Sequence, residues 1–476
     1  MIKNSLTVLA SAVAALALTG CINLAPDHQR PEAPVAGQWP QGPGAEAPGA
    51  QAAAQLQWEQ FFHDARLREL ISLALKNNRD LRVALLNVEV ARAQAGVASA
   101  NRWPTVNVGL TGTRGPQTTT NGDTRVVSTY QAGLQINAYE LDLFSRLKNT
   151  SEASFANYLA TGEAARTARI SLISSVATAY LAVQADDELL KLTEQTLATR
   201  QDSLRLTQLK FDNGASSKLD LNTAQSSYES ARATLAQLQR TRMQDMNSLT
   251  LLVGQPLPDT LTPAQPLSGQ TMGALMAGLP SEVLIQRPDV RQAEQQLVAA
   301  EANIGVARAA FFPSISLTTS AGTASSALSD LFKRSAWSIS GTALMPLFDF
   351  GKNRNNLDAA KANREIAVAN YEKAVQTAFK EVSDALAGRA TLDEQLRAQD
   401  AQAEAEASRL QLVELSYRNG AASNLDLLDA QRSSFAAQQS ALQVRLAHLQ
   451  NQVQLYKVLG GGTEPAPAQQ DAARTQ

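Results

Sequence analysis

The 476-residue chain contains one stretch of sequence twice, and this internal repeat narrows the folds that are open to it. Residues 211–225, FDNGASSKLDLNTAQ, return at 417–431 as YRNGAASNLDLLDAQ, with nine of fifteen positions identical. A second pair of similar segments begins at Asn78 and Arg287 and is displaced by 209 residues. Repetition at this spacing indicates two tandem copies of one structural unit.

Each copy has the same order of predicted elements: a helix, a strand, a loop, a strand, and two very long helices joined by a tight turn. The predicted domains follow from this order. They are a signal peptide (1–20), an N-terminal strap that carries a lipid (21–60), a first repeat (61–280), a second repeat (281–460) and a flexible tail (461–476).

Four segments alternate apolar residues with small polar ones, which is the pattern of strands with one apolar face. The polar faces carry Ser, Thr, Gln, Asn and Gly rather than charges, which favours an outer-membrane barrel over a half-exposed soluble sheet. Four strands cannot close a barrel, so a barrel requires several copies of the chain. The predicted strands lie at about 104–114, 125–138, 313–322 and 336–346. The loops within the two strand pairs, Gly115–Thr124 and Thr323–Ser335, would face the exterior.

The rest of each repeat is helical. From Arg146 to Phe211 only Gly162 is a weak helix former, and a helix of about 65 residues would be nearly 100 Å long. Leucines and aromatic residues recur every seven positions, which predicts helices packed side by side with left-handed supercoiling. Such helices suit either an elongated coiled-coil spacer or a ring of hairpins around a tunnel. After residue 20 no uninterrupted apolar stretch approaches the roughly 18 to 20 residues of a membrane-spanning helix, so any entry into a membrane must use β-structure.

The N-terminus has the pattern of a secretory signal. An apolar run from Leu6 to Leu18 precedes Cys21, the only cysteine in the chain. A lipoprotein signal places its acylated cysteine at this junction, and the alternative is an ordinary secretory peptide with an incidental cysteine. Residues 25–57 are rich in Pro, Gly, Ala and Gln, which predicts an extended strap or linker rather than a packed element.

Composition excludes several classes of function. Lys plus Arg number 42 against 44 Asp plus Glu, so no basic field would attract nucleic acid. Only 5% of residues are aromatic, which argues against a large aromatic core. The three histidines, His28, His63 and His448, have no metal-ligand spacing, and the chain contains neither a phosphate-binding glycine loop nor a nucleophile elbow. We therefore predict that the protein is not an enzyme and has no cofactor.

The duplicated stretch itself has the chemistry of a turn between helices. A glycine after Asn suits the left-handed end of one helix, and a Ser followed three residues later by Asp suits the capped start of the next. These residues are Gly214, Ser217 and Asp220 in the first copy and Gly420, Ser423 and Asp426 in the second.

The two copies differ just after the turn. Asp429 and Arg432 stand where the first copy has Thr223 and Ser226. With Leu425 they occupy positions i, i+4 and i+7 on one helical face. They are either a functional constriction or a solvated i,i+3 ion pair.

The chain resembles the OprM-type outer membrane factors of bacterial efflux systems, within the wider TolC-like superfamily. The resemblance covers nearly the whole chain and rests on LKNNRDLRVALLNVE, YELDLFSRLKN, LPSEVLIQRPDVRQAE, ARAAFFPSISLT, NLDLLDAQRS and LYKVLGGG. It implies an α+β membrane protein whose homotrimer forms a 12-stranded β-barrel above a periplasmic α-helical barrel. It also implies two partners: a periplasmic membrane-fusion adaptor and an inner-membrane pump of the resistance-nodulation-division class.

The resemblance also assigns roles to particular residues. It implies a periplasmic gate and, from Asp426 with Asp429, a cation site at that gate, while two further positions match contacts that lock the entrance. The gate residues are Leu425, Asp426, Asp429 and Arg432, and the locking residues are Asp220 and Tyr417. Ala422 departs from the arginine that some TolC-like members have in the turn, so the sequence leaves the latch undefined.

By similarity to bacterial lipoproteins, Cys21 would carry N-acyl and S-diacylglycerol groups, palmitate among them, and Ile22 after it points to the outer membrane. The predicted function is a passive outer-membrane channel for multidrug efflux. The alternatives are a channel for type I protein secretion or metal efflux, and a periplasmic coiled-coil scaffold without a pore.

Overall fold

The computed structural model describes residues 22–40, 51–53, 56–118, 122–258, 266–276, 278 and 280–462. Over these residues the chain is mostly helical, with one four-stranded sheet and one two-stranded sheet. The signal peptide, Cys21 and residues 463–476 of the predicted tail lie outside the described residues. Gly461 and Gly462, which the tail was predicted to include, are described and buried.

The elements occur in chain order as follows. The N-terminal part and first repeat contain β1 (Gln51–Ala52), α1 (Trp58–Phe61), α2 (Ala65–Asn77), α3 (Arg79–Ala100), β2 (Val106–Thr118), β3 (Thr124–Leu141), α4 (Arg146–Asp212) and α5 (Lys218–Val253). The second repeat is preceded by β4 (Leu275–Met276) and contains α6 (Pro280–Gln286), α7 (Pro288–Ala309), β5 (Ser314–Ser325), β6 (Ser335–Leu344), α8 (Lys352–Arg418) and α9 (Asn424–Val458).

The two long helices α4 and α8 have 67 residues each, which confirms the predicted helix from Arg146. The strands are longer than predicted at the loop ends. β2 continues to Thr118 in its hairpin with β3, and β5 continues to Ser325 because its last residues pair with β3, so both strands enter what the sequence marked as loops. The second loop contains a short 3-10 helix at Leu328–Asp330.

The residues cluster into two compact units that cut across the sequence repeats. One unit comprises the described residues within 1–32, 87–162 and 292–373, and it holds the four-stranded sheet. The other comprises those within 33–86, 163–291 and 374–476, and it holds the main apolar core and both hairpin turns.

The main core is mostly aliphatic, as predicted, and it contains one cluster of aromatic rings. Phe61 stacks on Tyr456 with ring centroids 4.2 Å apart, and Phe62 meets the same ring edge-on. The Tyr456 hydroxyl donates to the Leu56 carbonyl at 2.8 Å. Each large side chain buried in this way contributes about 1.5 to 3 kcal/mol. Average composition therefore does not show that a few aromatic residues are concentrated in one place.

The prediction of an unpacked strap at residues 25–57 was wrong in part. The Trp39 side chain is buried, stacks on Phe379 at 5.0 Å and donates from Nε1 to the Gly278 carbonyl at 2.9 Å. β1 pairs in parallel with β4. The strap lacks sequence periodicity because single anchors, rather than a continuous face, hold it in place.

One described helix, α4, contains an 18-residue window with a mean hydropathy of 1.2, long and apolar enough to cross a membrane. Of that window, 61% is buried against protein, which accounts for its apolar character without a membrane.

Candidate functional site

The two hairpin turns have the same backbone geometry. Gly214 and Gly420 have φ of +75° and +76°, in the left-handed region where a side chain is strained. In the first turn the Ala215 N–H donates to the Lys210 carbonyl at 2.7 Å, which closes the end of α4. The duplicated glycines thus occupy positions where the chain must reverse between two helices.

Both following helices begin with a reciprocal capping box. The Ser217 hydroxyl accepts from the Asp220 N–H while the Asp220 carboxylate accepts from Ser217, and Ser423 with Asp426 repeats the arrangement. Hydrogen bonds from the serines lower the pKa of both aspartates. The structure therefore shows Asp220 and Asp426 acting as helix caps.

Asp429 lies one turn further along α9 and accepts from two arginines. Arg432 Nη2 donates to its Oδ1 at 2.7 Å, and Arg409 Nη2, from α8, donates to its Oδ2 at 3.2 Å. These two contacts, Arg409 first, lower the pKa of the Asp429 carboxyl. The Asp429–Arg432 pair is the i,i+3 ion pair that the sequence allowed, and Arg409 extends it across the two helices of the second hairpin.

Arg409 was missed in the sequence, although comparing the copies could have found it. Three hydroxyl residues in the first copy occupy the positions of this charged group. The matched pairs are Ser203 with Arg409, Thr223 with Asp429 and Ser226 with Arg432. Arg409 also pairs with Glu406 at 2.9 Å, whereas the counterpart of Glu406 in the first copy is Arg200.

A cation at Asp426 and Asp429 would have to compete with these contacts. Both Asp429 oxygens accept from arginines, and Oδ2 of Asp426 accepts from the Ser423 N–H and hydroxyl. Among the described residues no group of three or more His, Cys, Asp or Glu side chains could hold a metal ion. In this arrangement a cation at Asp429 would share the carboxylate with two arginines.

Tyr417 joins the second hairpin to the first through Lys210. Lys210 Nζ donates to the Tyr417 hydroxyl at 3.1 Å and lies 4.2 Å from the centre of its ring. The Tyr417 side chain is buried, whereas Asp220 is bonded to Ser216 and Ser217 at its own turn. The structure thus pairs Tyr417 with Lys210, a residue that nothing in the sequence indicated as a partner of Tyr417.

Leu425, the remaining predicted gate residue, is 71% exposed at the second position of α9. A large aliphatic side chain exposed beside a helix cap has no packing role within the chain. Ala422 lies in the turn two residues after Gly420.

The four-stranded sheet has the order β2-β3-β5-β6, antiparallel throughout, with β2 and β6 at its two edges. Register places apolar side chains in rows on one face and polar ones on the other. An apolar row runs Val108, Leu134, Ala321, Trp337, and the neighbouring polar row runs Asn107, Gln135, Ser320, Ser338. Val108 is 85% exposed and Trp337 is 78% exposed, so the apolar face is not covered by the chain itself.

The first described residue lies at the base of this sheet. The Ile22 N–H donates to the carbonyl of Leu143, two residues beyond β3, at 3.1 Å.

Comparison with known proteins agrees with this architecture. The model of the family described as outer membrane efflux protein matches residues 70–255 and 279–461, one block for each repeat. The chain is 46% identical over 464 residues to the probable efflux pump outer membrane protein TtgC of Pseudomonas putida, covering 96% of both chains. It is 42% identical over 452 residues to the cation efflux system protein CusC of Escherichia coli, covering 94% of this chain and 97% of that protein.

Solved structures show the same fold. A membrane protein from Pseudomonas aeruginosa aligns with a TM-score of 0.85 at 41% identity, over 92% of this chain and 98% of that one. The open state of the MtrE outer membrane channel of Neisseria gonorrhoeae aligns with a TM-score of 0.83 at 39% identity, over the same shares. These likenesses confirm the predicted combination of long helical hairpins with membrane strands.

Proposed function

This chain belongs to the outer membrane efflux protein family, and from that membership and the geometry we propose that three copies form a passive, gated conduit for small toxic compounds. It is an outer-membrane efflux channel, and its relatives are channels rather than enzymes.

The open sheet is the observation that carries the proposal. Four antiparallel strands present an exposed apolar face and two unpaired edges, which is unfavourable in water and in lipid alike. A barrel of about 8 strands is filled by side chains, and one of 16 to 18 holds an aqueous channel. Three copies of four strands under cyclic symmetry give an intermediate ring of twelve, with its polar face around the lumen.

The entrance would lie at the hairpin turns. Under threefold symmetry, Leu425, Asp429 and Arg432 become rings, and rings of charged side chains filter ions in pores. The Lys210–Tyr417 contact holds the two hairpins of one chain together. We therefore assign it the role of a latch that must break for the second hairpin to move away from the first.

Names of the relatives suggest the cargo. The toluene efflux pump protein TtgC and the antibiotic efflux pump protein ArpC of Pseudomonas putida are each 46% identical to this chain. We propose small apolar organic compounds, antibiotics included, as its cargo. Metal ions are the second candidate, because the CusC relative belongs to a cation efflux system.

A passive channel needs an energised partner. We propose a periplasmic adaptor and an inner-membrane pump of the resistance-nodulation-division class, with the adaptor contacting the hairpins. Acylation of Cys21 would place lipid beside the strand ends, consistent with the position of Ile22.

Two experiments test these proposals. Purified protein in a planar bilayer should conduct, and conductance should increase when Asp429 is replaced by Ala. Absence of conductance from both the wild-type protein and the Asp429 variant would refute the channel and favour a scaffold without a pore. Deletion of the gene should sensitise cells to apolar drugs and solvents. Sensitivity to metal ions alone would favour metal efflux, and loss of a secreted protein would favour type I secretion.

The same deletion strain tests the anchor. Complementation with Cys21→Ser should leave the protein in the outer membrane, because the strands hold it there, but without label from radioactive palmitate. Labelling of the variant at wild-type level would refute acylation at Cys21.

A further inference from the structure

The polar face of the described four-stranded sheet carries uncompensated charges at its loop end. This is the end away from α4 and α8, into which β3 and β6 lead. In the proposed channel the loop end is the exit. We infer that Arg125 and Arg334 form an anion-selective ring at the exit, opposite in sign to the carboxylate of Asp429 at the proposed gate. This inference rests on the proposed channel and adds a selectivity site to it.

Alternation along β3 places Arg125 on the polar face. Arg125 lies ten residues before Gln135 of the polar row, and successive side chains of a strand alternate between its two faces. Its partner in the ladder, Gln117 of β2, is polar as well. The Arg125 side chain is exposed. Its guanidinium group therefore reaches the space in front of the polar face.

Arg334 lies on the same face at the start of β6. Its carbonyl accepts from the Ala324 N–H at 3.3 Å, which extends the ladder between β5 and β6 by one residue pair. Arg334 is four residues from Ser338 of the polar row, so the two side chains share a face. Like Arg125, Arg334 is exposed.

The remainder of the polar face of the described sheet is neutral. Glu140, near the helix end of β3, accepts from Arg146 Nε at 2.7 Å, so its charge is compensated. The row next to Arg334 contains three glycines and an alanine, which leave room beside its guanidinium group. That row is Gly109, Gly133, Gly322, Ala336. A solute that passes the neutral rows therefore meets the arginines as the first free charges of the sheet.

The loop end as a whole is basic. Residues 114–125 and 326–334 contain twice as many basic as acidic side chains, and one of the acids, Asp330, is paired with Lys333 at 2.7 Å. The basic residues are Arg114, Arg125, Lys333 and Arg334, and the acidic ones are Asp123 and Asp330. Arg114 lies six residues after Val108 of the apolar row and therefore belongs to the opposite face of the sheet.

Threefold repetition turns the two arginines into six guanidinium groups around one lumen. Twelve strands about 4.8 Å apart enclose a ring with a radius of about 9 Å before strand tilt widens it. The Debye length is about 10 Å at 0.1 M salt and about 3 Å at 1 M salt. The field of the arginines therefore reaches the axis of the lumen in dilute salt and is screened in concentrated salt.

The sign of this field defines the compounds that the exit favours. Rings of arginine or lysine select anions in pores, as rings of carboxylates select cations. An organic compound that carries a carboxylate is attracted to the exit, whereas a cation outside the cell is repelled from it. The exit thus favours anionic cargo and excludes external cations from the lumen.

Block of the channel by inorganic tripolyphosphate measures the affinity of the lumen for anions. The full-length protein is recorded in a planar bilayer with Asp429→Ala, which removes the acidic ring of the proposed gate. At about 0.1 M salt, adding Arg125→Gln and Arg334→Gln should raise the half-blocking concentration at least about tenfold. Arg114→Gln is the matched control, because it removes an arginine of the same loop end from the opposite face, and it should change this concentration less than about twofold.

Reversal potentials in a salt gradient give a second measurement. With Asp429→Ala alone, the anion-to-cation permeability ratio should exceed that of the wild-type channel. Adding Arg125→Gln and Arg334→Gln should lower the ratio again, and adding Arg114→Gln should not. At about 1 M salt, where the charges are screened, all variants should have the same conductance, which shows that their barrels are assembled.

The outcomes separate the exit ring from the proposed channel. Conducting variants whose block by tripolyphosphate is unchanged without Arg125 and Arg334 would overturn the ring and leave the channel standing. An equal loss of block in Arg114→Gln would also overturn it, because the effect would then not depend on the polar face. Absence of conductance from every protein refutes the channel, and the exit ring with it.

Discussion

Replacing Tyr417 by Phe should loosen the entrance without disturbing the fold. The change removes the hydroxyl that accepts from Lys210 Nζ at 3.1 Å and keeps the ring that the ammonium group faces at 4.2 Å. A hydrogen bond of this kind contributes about 1 kcal/mol net. Three copies opening together would lose about 3 kcal/mol, and each 1.4 kcal/mol is tenfold in an equilibrium constant. The ratio of open to closed channels should therefore rise by roughly 100-fold.

Single-channel recording in a planar bilayer measures this ratio directly. Lys210→Met removes the cation–π contact as well, so the closed state loses about 0.5 to 1 kcal/mol more for each chain. The open fraction should therefore rise further. The double variant should match Lys210→Met alone, because both changes break one contact.

A matched control exists in the first hairpin. Phe211 is the counterpart of Tyr417, and Lys218 lies 5.3 Å from its ring within the same hairpin. Phe211→Leu removes a similar contact that does not join the hairpins, so it should leave the open fraction unchanged. An unaltered open fraction in Tyr417→Phe and Lys210→Met, or an equal rise in Phe211→Leu, would refute the latch.

Three further changes have defined outcomes. Asp429→Asn should raise the open fraction and lower the cation-to-anion permeability ratio measured from reversal potentials. Because its arginine partners lower the pKa of Asp429, the permeability ratio of the wild-type channel should stay constant from pH 8 to about 5 and fall only in stronger acid. Burial and the neighbouring Asp245 raise the pKa of Asp186 to about 7. Between about pH 4 and 7 the folded state therefore binds a proton that the unfolded state lacks. The free energy of unfolding should fall as pH rises through that window. Asp186→Asn should remove this pH dependence and stabilise the protein at pH 8 by about 2 kcal/mol after allowance for partial exposure. Thermal unfolding of both proteins at about pH 4 and at pH 8 measures the effect. Gly133→Ala should impair assembly, because a methyl group would overlap a backbone carbonyl of β5, whereas Gly115→Ala meets open space and should assemble normally on gel filtration.

The repeat and the periodicities could be predicted from the sequence because each depends on patterns of residues that lie close together in the chain. Alternation of apolar residues predicted four strands, and the absence of helix breakers predicted α4 from Arg146. The turn chemistry at Gly214 and Gly420 is equally local, since a left-handed glycine and a capping box involve residues a few positions apart.

The contacts of the proposed gate residues could be predicted from the sequence only in part. The difference between copies marked Asp429 and Arg432, which do pair. The sequence did not mark Arg409, which lies 20 residues from Asp429 and meets it only because α8 and α9 run side by side. It predicted the capping role of Asp220, which the structure confirms, but it had no means of pairing Tyr417 with Lys210 across 207 residues.

By itself, then, the sequence determined the order of elements, the duplication, the faces of the strands and the helical reversal at each turn. Short-range sterics and hydrogen bonding dictate these features. Only the tertiary structure decided which distant side chains meet: the aromatic cluster around Tyr456, the packed strap at Trp39 and the Lys210 contact. Those contacts depend on how long helices and strands are brought side by side, and a residue's own neighbours in the chain carry no record of that.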